Sequence, residues 1–155
     1  MKKILLIATA YFLMLSYIAA AGPIRNSEPS RQVLNSFRKD FPLVSGARWE
    51  SLNNVYIASF KNNNQMQLAY YSENGTFIGQ LWKVELIDLP QAVQEALLRE
   101  AIPSDIKSIY RFIKEEGYPK YYCTVIKERK ETLIEVDSYG VASVVRKKKI
   151  PVIHF

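Results

Sequence analysis

The spacing of hydrophobic residues changes several times along the chain, and each change predicts a new element. After an apolar run near the N-terminus, residues 31–41 carry apolar side chains on one face of a helix. Pro42 ends this helix, because a proline disfavours the helical conformation of the residue before it. Apolar and polar residues then alternate, which predicts four short antiparallel strands. The predicted strands are 47–52, 55–61, 66–71 and 76–86.

The second half of the chain repeats this order of elements. Residues 89–101 form a predicted helix that Pro103 ends, and four strand patterns follow. The segments that begin at Tyr56 and Tyr121 run in parallel at an offset of 65 residues. Self-similarity at a fixed spacing predicts a duplicated unit. The second set of predicted strands is 106–113, 121–127, 132–137 and 141–148.

These patterns predict an α+β fold made of two tandem repeats in one compact domain. At the same offset the turn Asn74-Gly75 coincides with Tyr139-Gly140, so the turns follow the repeat as well. One helix followed by several strands, twice, favours antiparallel sheets over alternating βαβ units. We expect repeats at 30–88 and 89–155, with two helices packed on antiparallel sheet. The two meanders are expected to join edge to edge or to pack side by side.

The first residues predict an export signal. Lys2 and Lys3 precede the apolar residues 4–18, and Ala19-Ala20-Ala21 supplies the small residues after which signal peptidase cleaves. We therefore expect a signal peptide at 1–21, a flexible leader at 22–29 and a mature protein in the periplasm or outside the cell. The alternative is an uncleaved membrane anchor, since the apolar run approaches the roughly 20 residues that span a bilayer.

Charge and cysteine content narrow the possible partners. Loss of Lys2 and Lys3 with the signal leaves 19 of the 21 basic side chains against 15 acidic ones, a net charge of +4. This excess is small for a nucleic-acid-binding protein, so we expect no nucleic acid partner. Cys123 is the only cysteine, so no intramolecular disulfide can form. It lies in a strand pattern, where a buried inert thiol and an intermolecular disulfide are both open.

The titratable residues form no recognisable catalytic or metal-binding motif. His154 is the only histidine, which argues against a Ser-His-Asp triad and against a site with several histidine ligands. Glu115-Glu116 and the pair Glu128 and Glu131 lie in turn-like, lysine-rich segments, where solvated charges are the simpler explanation. We therefore predict no catalytic residue, no metal site and no cofactor.

A set of aromatic and amide residues forms the candidate partner-binding surface. If Tyr56, Ala58 and Phe60 face the helix, strand alternation predicts that the members of this set on the third and fourth strands lie on the other face of the sheet, together with Gln65. Tyrosine and tryptophan are typical of protein-binding surfaces, because they combine a large area with a polar group. The alternative is that a second layer buries the set. Its members are Trp49, Gln67, Tyr71, Gln80 and Trp82.

The last predicted strand ends in a basic run, Arg146, Lys147, Lys148 and Lys149. This run could contact an anionic lipid surface, where each basic residue contributes about 1 kcal/mol. The alternative is that these lysines protect an exposed strand edge against pairing with another chain.

Several landmarks follow one another along the chain: Phe41-Pro42, then Trp49, then Tyr56-x-Ala58-x-Phe60, then Tyr71 before Asn74-Gly75. Their order resembles the PepSY-like proteins of the beta-lactamase-inhibitor-like group, small exported bacterial proteins built from tandem αβ repeats. The resemblance covers most of the mature chain. It implies a binding module, since relatives present a sheet face to a partner protein and PepSY modules are proposed to modulate peptidases. It implies no catalytic residues.

Two functions are therefore open at the level of sequence. The first is an exported, non-enzymatic module that binds an unknown protein or peptide and modulates an envelope enzyme. The second is a structural envelope protein that associates with itself or rests on the membrane through its basic run.

Overall fold

A computed structural model of the protein describes residues 28–114 and 116–150. The predicted signal peptide, most of the predicted leader, Glu115 and His154 lie outside the described residues. The described elements, in chain order, are α1 (Arg31–Asp40), β1 (Arg48–Leu52), β2 (Val55–Asn62), β3 (Gln65–Ser72), β4 (Phe77–Val84), α2 (Gln91–Glu100), β5 (Ile106–Ile113), β6 (Lys120–Lys127), β7 (Lys130–Asp137) and β8 (Ala142–Lys149). Short 3-10 turns at Leu86–Asp88 and Pro103–Asp105 flank α2.

The strands form one eight-stranded antiparallel sheet in the order β1 to β8, so each strand pairs with its neighbour in sequence. The two predicted groups of strands join edge to edge, where β4 pairs with β5. The strands β2, β3 and β4 begin at residues 55, 65 and 77, and β6, β7 and β8 begin 65 residues later, at 120, 130 and 142. The predicted α+β class is confirmed, while an origin by tandem duplication stays a prediction.

The first helix begins and ends where local chemistry requires it. Ser30 precedes α1, and its Oγ accepts a hydrogen bond of 3.3 Å from the backbone N–H of Val33, one of the donors that the first helical turn leaves unpaired. The backbone N–H of Phe41 closes the last turn on the carbonyl of Phe37 at 2.8 Å. Val33 and Phe37 are buried, so this helix is held by one apolar face.

Both helices lie on the same face of the sheet, α1 over the first strands and α2 over the later ones. Val33 and Phe37 of α1 pack on residues of β2 and β3, and Val93 and Leu97 of α2 pack on residues of β5, β6 and β7. Under α1 the buried strand residues are Ala58, Phe60, Ala69 and Tyr71; under α2 they are Ile109, Tyr121, Cys123, Val125, Ile134 and Val136. The two clusters are separate, so the helix-bearing face has a middle section that belongs to neither.

A third apolar cluster lies on the other face and joins the two halves. It brings Leu81 of β4 together with Phe112 of β5, which are direct partners across the junction. The remaining buried members are Val55, Tyr70, Tyr122 and Leu133. Because its members come from both halves of the sheet, this cluster opposes their separation.

Candidate binding groove between the helices

One row of side chains crosses the sheet from β2 to β7 on the helix-bearing face and shows where the two helices leave a gap. Successive strand pairs place these residues opposite one another: Phe60, Gln67, Trp82, Arg111, Tyr121 and Val136. Residues paired directly across antiparallel strands share a face. Phe60 belongs to the cluster under α1, and Tyr121 and Val136 belong to the cluster under α2. The three residues between them lie in the middle section that neither helix covers.

This register corrects the predicted face of the candidate residues. Tyr56 pairs with Tyr71 and Phe60 pairs with Gln67, so Gln67 and Tyr71 share the helix-bearing face with Phe60 rather than facing away from it. The turn between β2 and β3 contains two residues, which pairs even-numbered positions of β2 with odd-numbered positions of β3. Trp82 follows Gln67 onto the same face. The predicted assignment to the opposite face is therefore wrong.

Trp82 and Arg111 form the centre of the row. The guanidinium carbon of Arg111 lies 5.3 Å from the centroid of the Trp82 ring, a distance at which a cation is attracted by the face of an indole. The Nε atom of Arg111 is buried and has no hydrogen-bond partner among the described residues. Within the same residues Arg111 forms no ion pair. Among the described residues, the charge of Arg111 therefore contacts the Trp82 ring and no carboxylate.

Two of the predicted binding residues, Gln67 and Gln80, lie next to this centre and contact each other. The Nε2 of Gln80 donates a hydrogen bond of 2.6 Å to the Oε1 of Gln67, which also accepts from Asn62 at 3.5 Å. On the same strand as Gln67, Gln65 donates through Nε2 to the backbone carbonyl of Lys83 at 2.7 Å. The amides are thus held in place and give the groove a polar border on the α1 side.

A cavity of about 560 Å³ opens beside Trp82 and Arg111. Its volume is within the usual range of sites for small ligands. The β2–β3 turn forms one wall, and the segment that leads into α2 forms the other. The lining residues are Asn64, Gln65, Met66, Trp82, Lys83, Val84, Glu85, Asp88, Leu89, Arg111 and Tyr121. We call this cavity, together with Gln67 and Gln80, the interhelical groove.

Tyr71 and Trp49 lie under α1 instead. Tyr71 has no exposed surface, and its hydroxyl donates a hydrogen bond of 2.9 Å to Oδ2 of Asp40. Burial, and then the bond to Asp40, raise the pKa of this tyrosine. The ring centroid of Trp49 lies 5.3 Å from that of Phe37 in an edge-on contact. The prediction that Tyr71 reaches a partner is therefore wrong, and Trp49 is part of the packing of α1.

The basic run is divided between the two faces of β8, which is an edge strand. Arg146 lies opposite Leu133, and its Nη2 bonds Oε1 of Glu131 at 2.8 Å. Lys147 and Lys149 are exposed, and alternation along the strand directs them to the other face from Arg146 and Lys148. The four charges therefore do not form a single basic patch.

Cys123, Glu128 and Glu131 lie in the core, in a turn and in an ion pair, respectively. Cys123 is fully buried, which confirms the predicted buried thiol, and burial raises its pKa to about 12. Glu128 lies exposed in the β6–β7 turn, and Glu131 is the partner of Arg146. In the part of the chain that the structure describes, no three histidine, cysteine or acidic residues meet as metal ligands would.

Sequence reasoning missed Arg111 and Tyr121 as members of the groove. Both lie on strands of the second half, whereas Trp82 lies on the last strand of the first half. No pattern along the chain brings them together. The signal that could have found Arg111 is an arginine that interrupts the apolar and aromatic residues at the end of the strand Ile106–Ile113.

Known structures share this fold. A proposed periplasmic protein from Bacteroides eggerthii DSM 20697 matches with a TM-score of 0.68 at 19% identity, over 79% of this chain and 90% of that chain. A DUF2874 family protein from Bacteroides ovatus ATCC 8483 matches with a TM-score of 0.68 at 16% identity, over 79% of this chain and 89% of that chain. A BLIP-like protein from Bacteroides fragilis NCTC 9343 matches with a TM-score of 0.65 at 15% identity, over 83% of this chain and 94% of that chain.

No protein-family model matches this chain, and no curated protein matches its sequence. At the identities of the solved structures the likeness shows the fold alone, which is of the beta-lactamase-inhibitor-like type that the landmarks predicted. The likeness to PepSY proteins stays a prediction. Within the described residues, no helix has the length and apolar character needed to cross a membrane.

Proposed function

We propose that the protein is an exported, non-enzymatic module that binds a protein or peptide in the interhelical groove. The observation that carries this proposal is the cavity of about 560 Å³ beside the half-buried Trp82. A tryptophan at the bottom of a concave site offers a partner a large apolar surface at little cost in side-chain entropy. Gln67, Gln80 and Arg111 add polar groups that fix orientation.

The same proposal includes that the protein is exported and that it catalyses no reaction. The predicted signal peptide favours export, and one structure of the same fold is a proposed periplasmic protein. At the centre of the groove lie an arginine, a tryptophan and amides, none of which is an activated nucleophile or a general base at neutral pH. Of the two carboxylates in the lining, Glu85 is paired with Lys83. The beta-lactamase-inhibitor-like fold is in keeping with a role that modulates an envelope enzyme rather than one that performs a reaction.

A pull-down from envelope extract tests the proposal. The mature protein, Trp82→Ala and Tyr118→Ala serve as baits, and mass spectrometry identifies what each retains. Tyr118 is the matched control, because it is an aromatic residue with 73% exposure outside the groove. We expect a specific protein that is lost with Trp82→Ala and kept with Tyr118→Ala. Retention of every specific protein by Trp82→Ala, in a variant that still folds, contradicts binding in the groove.

A second candidate function has its own observation. β8 is an edge strand with exposed Lys147 and Lys149, which suits either contact with an anionic surface or protection of the edge. Replacement of both lysines with glutamine separates the two roles. Loss of binding to phosphatidylglycerol vesicles supports the structural envelope role. Unchanged vesicle binding together with new self-association, measured by analytical ultracentrifugation, supports protection of the edge.

A further inference from the structure

We infer that the interhelical groove recognises a carboxylate on the bound peptide, and that Arg111 is the residue that receives it. This inference rests on the proposed function and names the chemistry of the partner. The segment that enters the groove would carry an aspartate, a glutamate or a free C-terminus, with a neighbouring apolar side chain against Trp82.

The first argument is the unsatisfied hydrogen-bonding capacity of Arg111. A guanidinium group has five N–H donors and is charged at every physiological pH. In the described part of the chain Arg111 has neither a hydrogen bond nor an ion pair, and its Nε is buried. Arg111 is only partly buried, but a buried nitrogen without a partner, such as its Nε, calls for an explanation. A ligand that brings acceptors supplies one.

The second argument is the geometry that Trp82 imposes. The two residues are opposite each other on β4 and β5, and the guanidinium carbon lies 5.3 Å from the ring centroid. Contact with the ring restricts the position of the guanidinium, and Arg111 also lines the cavity. A planar fork of donors held in one position matches the two oxygens of a carboxylate. The Trp82 ring also provides apolar surface beside the charge.

The third argument concerns the charges that surround Arg111 in the lining. Glu85 is already engaged, since its Oε1 lies 3.5 Å from Nζ of Lys83. Asp88 also lines the cavity, but neither carboxylate forms an ion pair with Arg111 among the described residues. The described carboxylates therefore leave Arg111 available to an acceptor that a ligand supplies.

The size and polarity of the groove favour a peptide over a small anion. A volume of about 560 Å³ far exceeds the space that one carboxylate group fills. Gln65, Gln67 and Gln80 lie along the same side, and amide side chains pair well with the N–H and C=O groups of an extended backbone. One charged contact, one aromatic platform and a line of amides together suit a peptide chain.

Selection from a display library of random peptides tests this inference directly. The mature protein is the bait, and selected peptides are then measured against Arg111→Gln, Arg111→Lys and the matched control Arg38→Gln. Arg38 is exposed on α1 and lies outside the cavity lining. Each peptide is also made with its acidic group replaced by the amide. Circular dichroism establishes that every variant is folded.

We expect the selected peptides to share a carboxylate. Arg111→Gln should weaken binding about 10- to 100-fold, the range for loss of a hydrogen bond to a charged group. Amide replacement in the peptide should have an equal effect on the wild type and little effect on Arg111→Gln. The peptide affinity of Arg111→Lys should lie between those of the wild type and Arg111→Gln, because a lysine keeps the charge but lacks the planar fork of donors. Arg38→Gln should bind as the wild type does.

Two other results separate the inference from the function on which it rests. In the first result, peptides bind less tightly to Trp82→Ala but bind Arg111→Gln as they bind the wild type, and amide replacement does not weaken them. This result contradicts recognition of a carboxylate and leaves the groove as the binding site. Failure to select any peptide whose binding depends on Trp82 counts against both the carboxylate and the groove.

Discussion

Two glycines are needed where sheet turns touch the helices. Gly75 has φ of +79° and Gly140 has φ of +83°, a region that favours glycine over every other residue. A Cβ on Gly75 would meet the carbonyl oxygen of Gln32 in α1 at 3.0 Å, and one on Gly140 would meet that of Ala92 in α2 at 2.6 Å. Each turn thus packs directly on helix backbone, and the two turns occupy equivalent places in the two halves.

Gly140→Ala should destabilise the protein for this reason. The substitution introduces both backbone strain and a close contact with Ala92. We expect these two effects together to lower the free energy of unfolding by about 1 to 3 kcal/mol. Gly46→Ala is the control, because a Cβ there meets nothing within 4 Å. Urea denaturation followed by circular dichroism measures both. Equal stability of Gly140→Ala and wild type would show that the turn does not pack on α2 as described.

Cys123 should make stability depend on pH at the alkaline end. Its pKa is raised from 9.0 to about 12 by burial, so the folded state keeps the thiol proton where the unfolded state has lost it. The stabilising effect is complete below pH 9 and is lost as pH rises through 12, with a slope for this group of at most about 1.4 kcal/mol per pH unit. Urea denaturation at several pH values, with Cys123→Ala as the comparison, should show a shallower decline in the variant. Identical slopes would exclude this contribution.

At the scale of elements, the hairpins depend on their two-residue turns. The turns at Asn53-Asn54 and Asn63-Asn64 have positive φ at both positions, which asparagine tolerates better than other non-glycine residues. The turn between β6 and β7 has the same geometry but contains Glu128 and Arg129, with φ of 47° and 61°. It therefore holds two residues that are poorly suited to their conformation.

Replacing Glu128 with Asn and Arg129 with Gly should stabilise the protein. Both substitutions remove left-handed strain, and we expect a gain of roughly 1 kcal/mol in the free energy of unfolding. The reverse exchange in the other half, Asn63→Glu with Asn64→Arg, should lower stability by a similar amount. Thermal unfolding measures both double variants. A loss of stability in the β6–β7 variant would contradict the turn geometry.

For the whole molecule, the continuous sheet predicts that the two halves unfold together. β4 pairs with β5, and the third apolar cluster takes Leu81 from one half and Phe112 from the other. Separation of the halves would expose this cluster and leave two unpaired strand edges, both of which are unfavourable. A single cooperative transition is the expected behaviour of such a domain.

Leu97→Ala tests this cooperativity. Leu97 has no exposed surface in α2, so its truncation should cost about 2 to 5 kcal/mol. Both tryptophans, Trp49 and Trp82, belong to the first half, which makes fluorescence a probe of the half that is not mutated. The fluorescence and circular dichroism midpoints should fall together in urea. A fluorescence midpoint that stays at its wild-type value would show that the halves unfold independently.

Most elements of this protein, and the residues near which they end, can be predicted from the amino-acid sequence. Both helices end near a proline, Pro42 for α1 and Pro103 for α2, and the hairpins of the first half turn at asparagine pairs. These features follow from neighbouring residues, because helical spacing, strand alternation and turn chemistry are local. The α+β class follows from the same patterns, whereas they left two possibilities open for Cys123, of which the structure has the buried thiol.

Which residues contact one another across the sheet depends on how the strands pair. Tyr71 lies under α1 and Gln67 faces the groove because a two-residue turn sets the register, and a shift of one residue would exchange the faces. Arg111 meets Trp82 only because β4 and β5 join, across a helix that separates them in the chain. Such contacts depend on the whole sheet, so local patterns along the chain do not contain them.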